Sequence, residues 1–373
     1  MRMSRAALGS IPEICYSRTV NQHGEKTVLA TTALHAASAT PPTIHTVAQR
    51  AGVSKSTVSR YLQRSPHLTD EARDAIAKAI KELGYRPNGN ARSMKDKRTH
   101  AVGVLVNDLR QPWFVEFLQG LGDALHRHEL SPLVGDGRLD RRTDERLVNS
   151  FMDMRFDGLV LAGTMKVSET IIEAANRIPT VVGGSRLFDA PTTDLVVQDD
   201  NRVAQLAVNH LFELGHTSVA HVGSDTGVVF DARLGTYRDL MATRGLIERT
   251  ELCDATEEGA YMAGLRLLDC APEYRPTAIF AASDLIALGV MSAAAELGCR
   301  IPTDLSLVGV DNTYLARMRS INLTSVDIRA YDQGIMSGDT LARRIENPDR
   351  PATQQIVEPT LSVRRSTRSL SNA

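Results

Sequence analysis

The sequence predicts an α/β protein in two parts, a small three-helix head and a two-lobed body built on parallel sheets. Three observations carry that prediction. Apolar stripes of helical period fill Thr43 to Leu83, and short buried-type strands alternate with amphipathic stretches from Ala101 onward. Charge divides the chain at the same place. Residues 43–98 hold twelve Lys/Arg against five Asp/Glu, a balance of +7, the first 42 residues carry +2, and the remainder carries −10, within a formal net charge of −1. A basic head on an acidic body points to a polyanionic partner for the head.

The 373 residues, 42% of them hydrophobic, suffice for two or three folding units. The chain has no apolar run long enough to cross a membrane, and its first forty positions lack the pattern of a signal peptide. A soluble, cytoplasmic protein with no membrane partner is expected. Cys15, Cys253, Cys270 and Cys299 have neither paired nor metal-ligand spacing, so they are expected as thiols, and no metal or other cofactor is anticipated.

Residues 1–42 show no sustained periodicity, end in Pro41-Pro42 and read as a flexible leader. The head, residues 43–87, holds three helices. Thr43 can cap the first, Val47, Ala48 and Ala51 form its apolar face, and Gly52 permits a left-handed turn with Val53 packed inside it. Ser54 can cap the second helix. Val58 on that helix faces the core, which turns Lys55, Ser56, Thr57, Ser59 and Arg60 outward as donors for base edges and phosphates. This is the layout of a helix-turn-helix. A third helix begins near Thr69, with Asp70 and Glu71 at its positive end and Ile76, Ile80 and Leu83 as its packing stripe. A polar, basic connector (88–99) leads to the body (100–367) and a short tail (368–373).

In the body, strands are predicted at Ala101–Val106, Gly158–Ala162, Thr180–Val182, Ser218–Val222, Ala278–Ala281 and Leu305–Val310. Strands alternating with helices imply parallel βαβ units, and the length implies two lobes. Ligands bind such sheets outside the carboxyl ends of the strands, so the cleft between the lobes is the expected small-molecule site. The chain has no phosphate loop, no His-Glu-x-x-His, no Gly-x-Ser-x-Gly, and no Gly-x-Gly-x-x-Gly after the first strand. His210, His216 and His221 fall on a helix followed by a strand, a placement that would not converge them on a metal. A binding protein is expected and not an enzyme.

Val47-Ala48, Ala51-Gly-Val-Ser54, Thr57-Val-Ser-Arg60 and Leu83-Gly-Tyr-Arg-Pro-Asn88 together resemble the signature of the lac repressor family, and the similarity runs to about residue 367. The resemblance implies a periplasmic-binding-protein-like body and a homodimer that grips a near-palindromic operator in double-stranded DNA. It assigns Lys55, Ser56 and Arg60 to operator bases and Thr57 and Ser59 to phosphates, with Thr43 also in the DNA-binding set. Asn88 to Met94 would form a hinge helix, with Asn88 and Ala91 near the DNA and Met94 as the minor-groove wedge, a place usually taken by leucine.

The same resemblance places an effector between the lobes, a carbohydrate, with a purine-like compound as the alternative. Its expected contacts are Asn107, Asp108, Trp113, Phe114, Arg233, Ser283, Asp284 and Asp311, with Arg233 and Asp311 facing each other across the cleft. The family pattern is broken at four places in the body: Thr236 replaces a glycine, Ser283 stands where an asparagine is commoner, Gly183-Gly184-Ser185 replaces an aspartate or large polar residue, and Ile328-Arg329 lacks a proline. A solute-binding protein on the same fold is the rival reading, and the basic head argues against it.

Overall fold

The computed structural model describes residues 16–18, 28–30, 42–62, 65–85, 98–186 and 192–370. The chain divides into two compact units, Met1–Ala91 and Arg92–Ala373. In the first, within the segment expected as a leader, strands β1 (Tyr16–Arg18) and β2 (Val28–Ala30) pair antiparallel. Helices α1 (Ile44–Ala51), α2 (Lys55–Leu62) and α3 (Asp70–Leu83) follow. Val47, Val58 and Ile76 form the fully buried centre of the three-helix core. Thr43 caps α1 and Thr69 caps α3. Gly52 (φ 67°) and Gly84 (φ 59°) end these two helices in the left-handed conformation, where a side chain would be strained.

The second unit is the two-lobed body. The first lobe contains β3 (Ala101–Val106), α4 (Trp113–Arg127), β4 (Ser131–Asp136), α5 (Arg141–Asp153), β5 (Gly158–Ala162), α6 (Glu169–Arg177), β6 (Thr180–Gly183) and β7 (Asp194–Gln198). The second contains α7 (Asp200–Glu213), β8 (Val219–Gly223), α8 (Val228–Thr243), β9 (Thr250–Leu252), α9 (Glu257–Leu268), β10 (Ala278–Ala281), α10 (Asp284–Glu296), β11 (Ser306–Val310) and β12 (Thr324–Asp327). The chain then returns to the first lobe with α11 (Ala330–Glu346) and β13 (Gln354–Val357), and crosses once more to β14 (Thr360–Ser362).

The sheets run β13-β7-β6-β5-β3-β4 and β14-β12-β11-β10-β8-β9, parallel throughout except where β14 meets β12. In each lobe the first strand lies between the second and third. The connections therefore diverge at its carboxyl end and leave a crevice there.

Two features fix the first lobe. Helix α11 lies directly on α4, so close that a Cβ added at Gly334 would lie 2.1 Å from the Phe117 carbonyl oxygen. The buried Arg344 guanidinium on α11 pairs with the fully buried Asp194 of β7 and donates to the carbonyls of Pro348, Arg350 and Pro351. At the other end, Arg368 N donates to Ser306 Oγ and Leu370 N to Leu214 O. The stretch expected as a tail is thus held to the second lobe through Leu370, because it completes hydrogen bonds that β11 and α7 leave open.

Candidate functional site

In the head, Ser54 Oγ accepts the Thr57 amide at 3.1 Å and lies 2.7 Å from both the Ser56 and Thr57 hydroxyls. This cap starts α2 at Lys55. With Val58 buried, Lys55, Ser56 and Arg60 are exposed, and Thr57 and Ser59 are half-buried. One face of a short helix therefore presents two cations and three hydroxyls, while Arg50 is occupied by Glu82. The Thr43 hydroxyl is engaged with the Thr46 amide in the α1 cap. Asn88, Ala91 and Met94 lie outside the described residues.

In the body, α4 reaches across the cleft. Gln111 Nε2 donates to the Ala255 carbonyl at 2.7 Å, Glu116 pairs with Arg317, and the Trp113 indole packs against the cores of both lobes. The indole stacks on Phe117 (4.7 Å between centroids) and meets Phe114 edge-on (4.9 Å). It also lies over Gly184, where a Cβ would come within 2.4 Å of Cη2. The missing side chain at 184 makes room for the ring, which accounts for that departure from the family pattern.

From Gly184 a chain of contacts crosses to the second lobe. Gln198 Nε2 donates to the Gly184 carbonyl (3.1 Å) and to the Asp200 carboxylate (3.0 Å). Asp200 pairs with the buried Arg233 (2.7 Å), whose Nη1 donates to the Ala282 carbonyl. Burial raises the Asp200 carboxyl above its usual range, and Arg233 and Gln198 only partly counter it. Neither Asp200 nor Gln198 was expected from the sequence.

Arg233 and Asp311 do not face each other across the cleft, because both belong to the second lobe and Arg233 takes Asp200 as its partner. Asp311 stands at the end of β11 with φ 97°, and among the described residues no donor reaches its half-buried carboxylate. Burial drives this carboxyl well above the ordinary range, against the pull of Arg233 and with the repulsion of Asp284, Asp200 and Asp327.

Four of the expected effector contacts are used internally. Asp284 is fully buried and accepts from Thr313 N, Thr313 Oγ1 and Ser325 Oγ at 2.6–2.9 Å; burial pushes it to about 6 against those bonds. Ser283 caps α10 through the Ile286 amide. Asp108 is closed off by Arg110, whose bonds hold its carboxyl below the usual range although burial works the other way. Phe114 lies in the first-lobe core.

Among the described residues, other polar side-chain atoms buried without a partner are Asn107 Oδ1, Trp113 Nε1, Asp144 Oδ1, Thr193 Oγ1, Gln198 Oε1, His221 Nε2 and Gln333 Oε1. Asn107 follows β3, Trp113 opens α4 just beyond it and Gln198 ends β7, so these three stand at the carboxyl ends of first-lobe strands. His221 lies inside the second lobe, and burial holds its imidazole neutral, down to about 3. The remaining departures also have local causes. Thr236 Oγ1 donates to Asn201, and Arg329 N donates to Asp327, a bond that a proline could not make.

Residues 43–88 match the lacI family of bacterial regulatory proteins, and residues 208–367 match the periplasmic binding protein-like domain. The HTH-type transcriptional repressor PurR of Erwinia tasmaniensis is 31% identical over 333 residues, covering 87% of this chain and 96% of that one. The chain belongs to the lacI family. A solved complex of the transcriptional regulator CelR with cellobiose is 28% identical, with a TM-score of 0.65 over 87% of this chain and 99% of that one. The lac repressor dimer bound to operator shares the fold at a TM-score of 0.76 and 24% identity, over 88% of this chain and all of that one. As a lacI-family member the chain is a transcriptional regulator, with a helix-turn-helix DNA-binding head and an effector-binding body. No helix among the described residues is long and apolar enough to cross a membrane.

Proposed function

We propose that this regulator is a cytoplasmic homodimeric repressor, and that a carbohydrate bound between the lobes sets its affinity for a near-palindromic operator. The observation that carries the effector reading is the three unpartnered atoms Asn107 Oδ1, Trp113 Nε1 and Gln198 Oε1 at the strand ends beside a cleft that Trp113, Gln111 and Glu116 already span. An aromatic ring beside hydrogen-bonding groups suits the two-sided chemistry of a sugar. The cellobiose complex of CelR supports the same class.

In the head, Lys55, Ser56 and Arg60 read base edges while Thr57 and Ser59 hold phosphates, and residues 88–99 act as the hinge, with Asn88, Ala91 and Met94 toward the minor groove. Two heads on a twofold axis require two half-sites. The effector acts by binding one lobe arrangement more tightly than the other, since equal affinity for both would shift nothing.

The test is fluorescence anisotropy on DNA from the region upstream of the protein's own gene, with and without sugars and purines. Saturable binding that one sugar weakens is the expected result. Equal affinity for random DNA at physiological salt overturns the operator reading, and a response to purines alone overturns the carbohydrate one.

A further inference from the structure

The hydroxyls at the start of α2 cannot place their hydrogens independently of one another. Ser54 Oγ accepts the Thr57 amide at 3.1 Å, which occupies one of its two lone pairs. The Ser56 and Thr57 hydroxyls both lie 2.7 Å from the same oxygen. With one hydrogen to give and one lone pair left, Ser54 donates to one of these neighbours and accepts from the other. Were both to donate, Ser54 Oγ would have to take three hydrogens on two lone pairs. One hydroxyl therefore gives its hydrogen to Ser54 and faces outward with lone pairs alone, while the other receives the Ser54 hydrogen and keeps its own.

Which is which follows from what each would meet on DNA. A phosphate oxygen only accepts, so a hydroxyl that holds a phosphate must keep its hydrogen free. That is the role proposed above for Thr57. Ser56, the exposed member of the pair, must then donate to Ser54 and present only acceptors to the major groove. In that groove an acceptor meets the exocyclic amino groups, adenine N6 and cytosine N4, and is repelled by the oxygens guanine O6 and thymine O4.

We propose that Ser56 reads its operator base as an acceptor, selecting adenine or cytosine over guanine or thymine on the strand it faces, and that Ser54 is the positioning residue that sets this polarity. The proposal rests on the DNA-binding reading of α2 and deepens it from contact to base preference. Lys55 and Arg60 on the same face carry donors only and suit guanine O6 and N7, so Ser56 supplies the recognition that they lack.

The experiment selects bound sequences from a random double-stranded DNA library with the full-length protein and with Ser56→Ala. The half-site position at which the two selections differ is the one that Ser56 reads. The expected result is a preference of at least about threefold for adenine or cytosine there, lost in Ser56→Ala. A preference for guanine or thymine at that position, or two identical selections, overturns the proposal and leaves the operator reading intact. If no half-site is enriched by either protein, the operator reading fails and this proposal with it. On the selected operator, replacing that adenine by unsubstituted purine, or that cytosine by 2-pyrimidinone, removes the amino group alone. Binding should weaken about threefold or more for the unaltered protein and not at all for Ser56→Ala. An equal loss in both proteins means that another group reads the base, which overturns the role given to Ser56. Ser54→Gly retains most of the helix cap but removes the shared oxygen, so it should bring the four bases at that position within about twofold while preferences elsewhere in the half-site persist. Undiminished preference at that position in Ser54→Gly overturns the role given to Ser54.

Discussion

The two lobes share one strand order but furnish the cleft differently. The first contributes mainly neutral groups and an aromatic ring, Asn107, Trp113 and the bare backbone of Gly184, with Glu116 as its charged link to Arg317. The second contributes charge, and most of that charge is bonded within the lobe: Asp200 to Arg233, and Asp284 to Thr313 and Ser325. A buried charge is tolerable only when paired, so the second wall is part of the scaffold. Neutral groups can wait for a ligand at a smaller cost, so the first wall is free to meet one.

The largest expected effect breaks the charged wall. Arg233→Ala leaves Asp200 buried with only Gln198 and loses the bond to Ala282, which should destabilise the protein by about 3–5 kcal/mol. Urea denaturation followed by circular dichroism measures it. A loss under about 1 kcal/mol would mean that the pair is not part of the scaffold.

On the neutral wall, Gly184→Ala combines a left-handed backbone (φ 76°) with a Cβ placed 2.4 Å from the Trp113 ring. The expected cost is about 1–3 kcal/mol. A red shift of the Trp113 emission should accompany it as the indole is pushed toward solvent. Destabilisation with an unchanged emission would show that the backbone gives way instead of the ring.

How much of this was legible in the sequence depends on what the polar residues do. Strands β3, β5 and β10 read as continuous apolar runs because both of their faces are covered, and the structure places them where the sequence predicts. Strand β4 was missed. It is an edge strand of sequence Ser-Pro-Leu-Val-Gly-Asp with Leu133 and Val134 exposed, so it lacks the buried pattern. Strands β7 and β12 were not predicted as strands either, since Asp194 and Asp327 make them look like loop. Those aspartates hold Arg344 and the Asn312–Arg329 segment.

At the site, the resemblance picked out Arg233 and Asp311, but not Asp200. Asp199-Asp200 reads as an ordinary helix cap, and Asp199 does cap α7, while its neighbour turns to Arg233. Ser283 and Asp284 were legible as polar residues at a strand end. Only three-dimensional packing shows that their own lobe consumes them.

A smaller effect contrasts two aspartates of the first lobe. Asp194 is paired with Arg344 and its carboxyl is held low, by bonds from Arg344 and Thr353 that outweigh burial, so it stabilises the fold above its ordinary range and loses that contribution as pH falls. Asp144 behaves in the opposite sense. Its Oδ1 is buried without a partner, and burial, reinforced by Asp140 and Asp136, raises the carboxyl from 3.8 to about 6. The folded state then holds this proton more tightly than the unfolded one, so stability falls as pH rises from about 4 to about 6 and stays lower above that. Asp144→Asn should remove the decline and add about 1–2 kcal/mol at pH 7. Thermal melts across pH 4–8 decide it, and a variant that is less stable at pH 7 would mean that the ionised carboxylate has a donor after all.

The smallest effect on stability should carry the greatest information about the cleft. Asn107 Oδ1 has no donor to lose, so Asn107→Ala should cost less than about 1 kcal/mol. Yet the same oxygen is one of the acceptors that a bound ligand would satisfy, and its removal should weaken a responding sugar about tenfold on the Trp113 signal. The second-lobe variant Arg233→Ala cannot separate the two quantities, because it removes fold and ligand contact together. If Asn107→Ala instead lowers stability by several kcal/mol with unchanged sugar affinity, Asn107 is scaffold as well, and ligand contact must rest on other residues of the cleft.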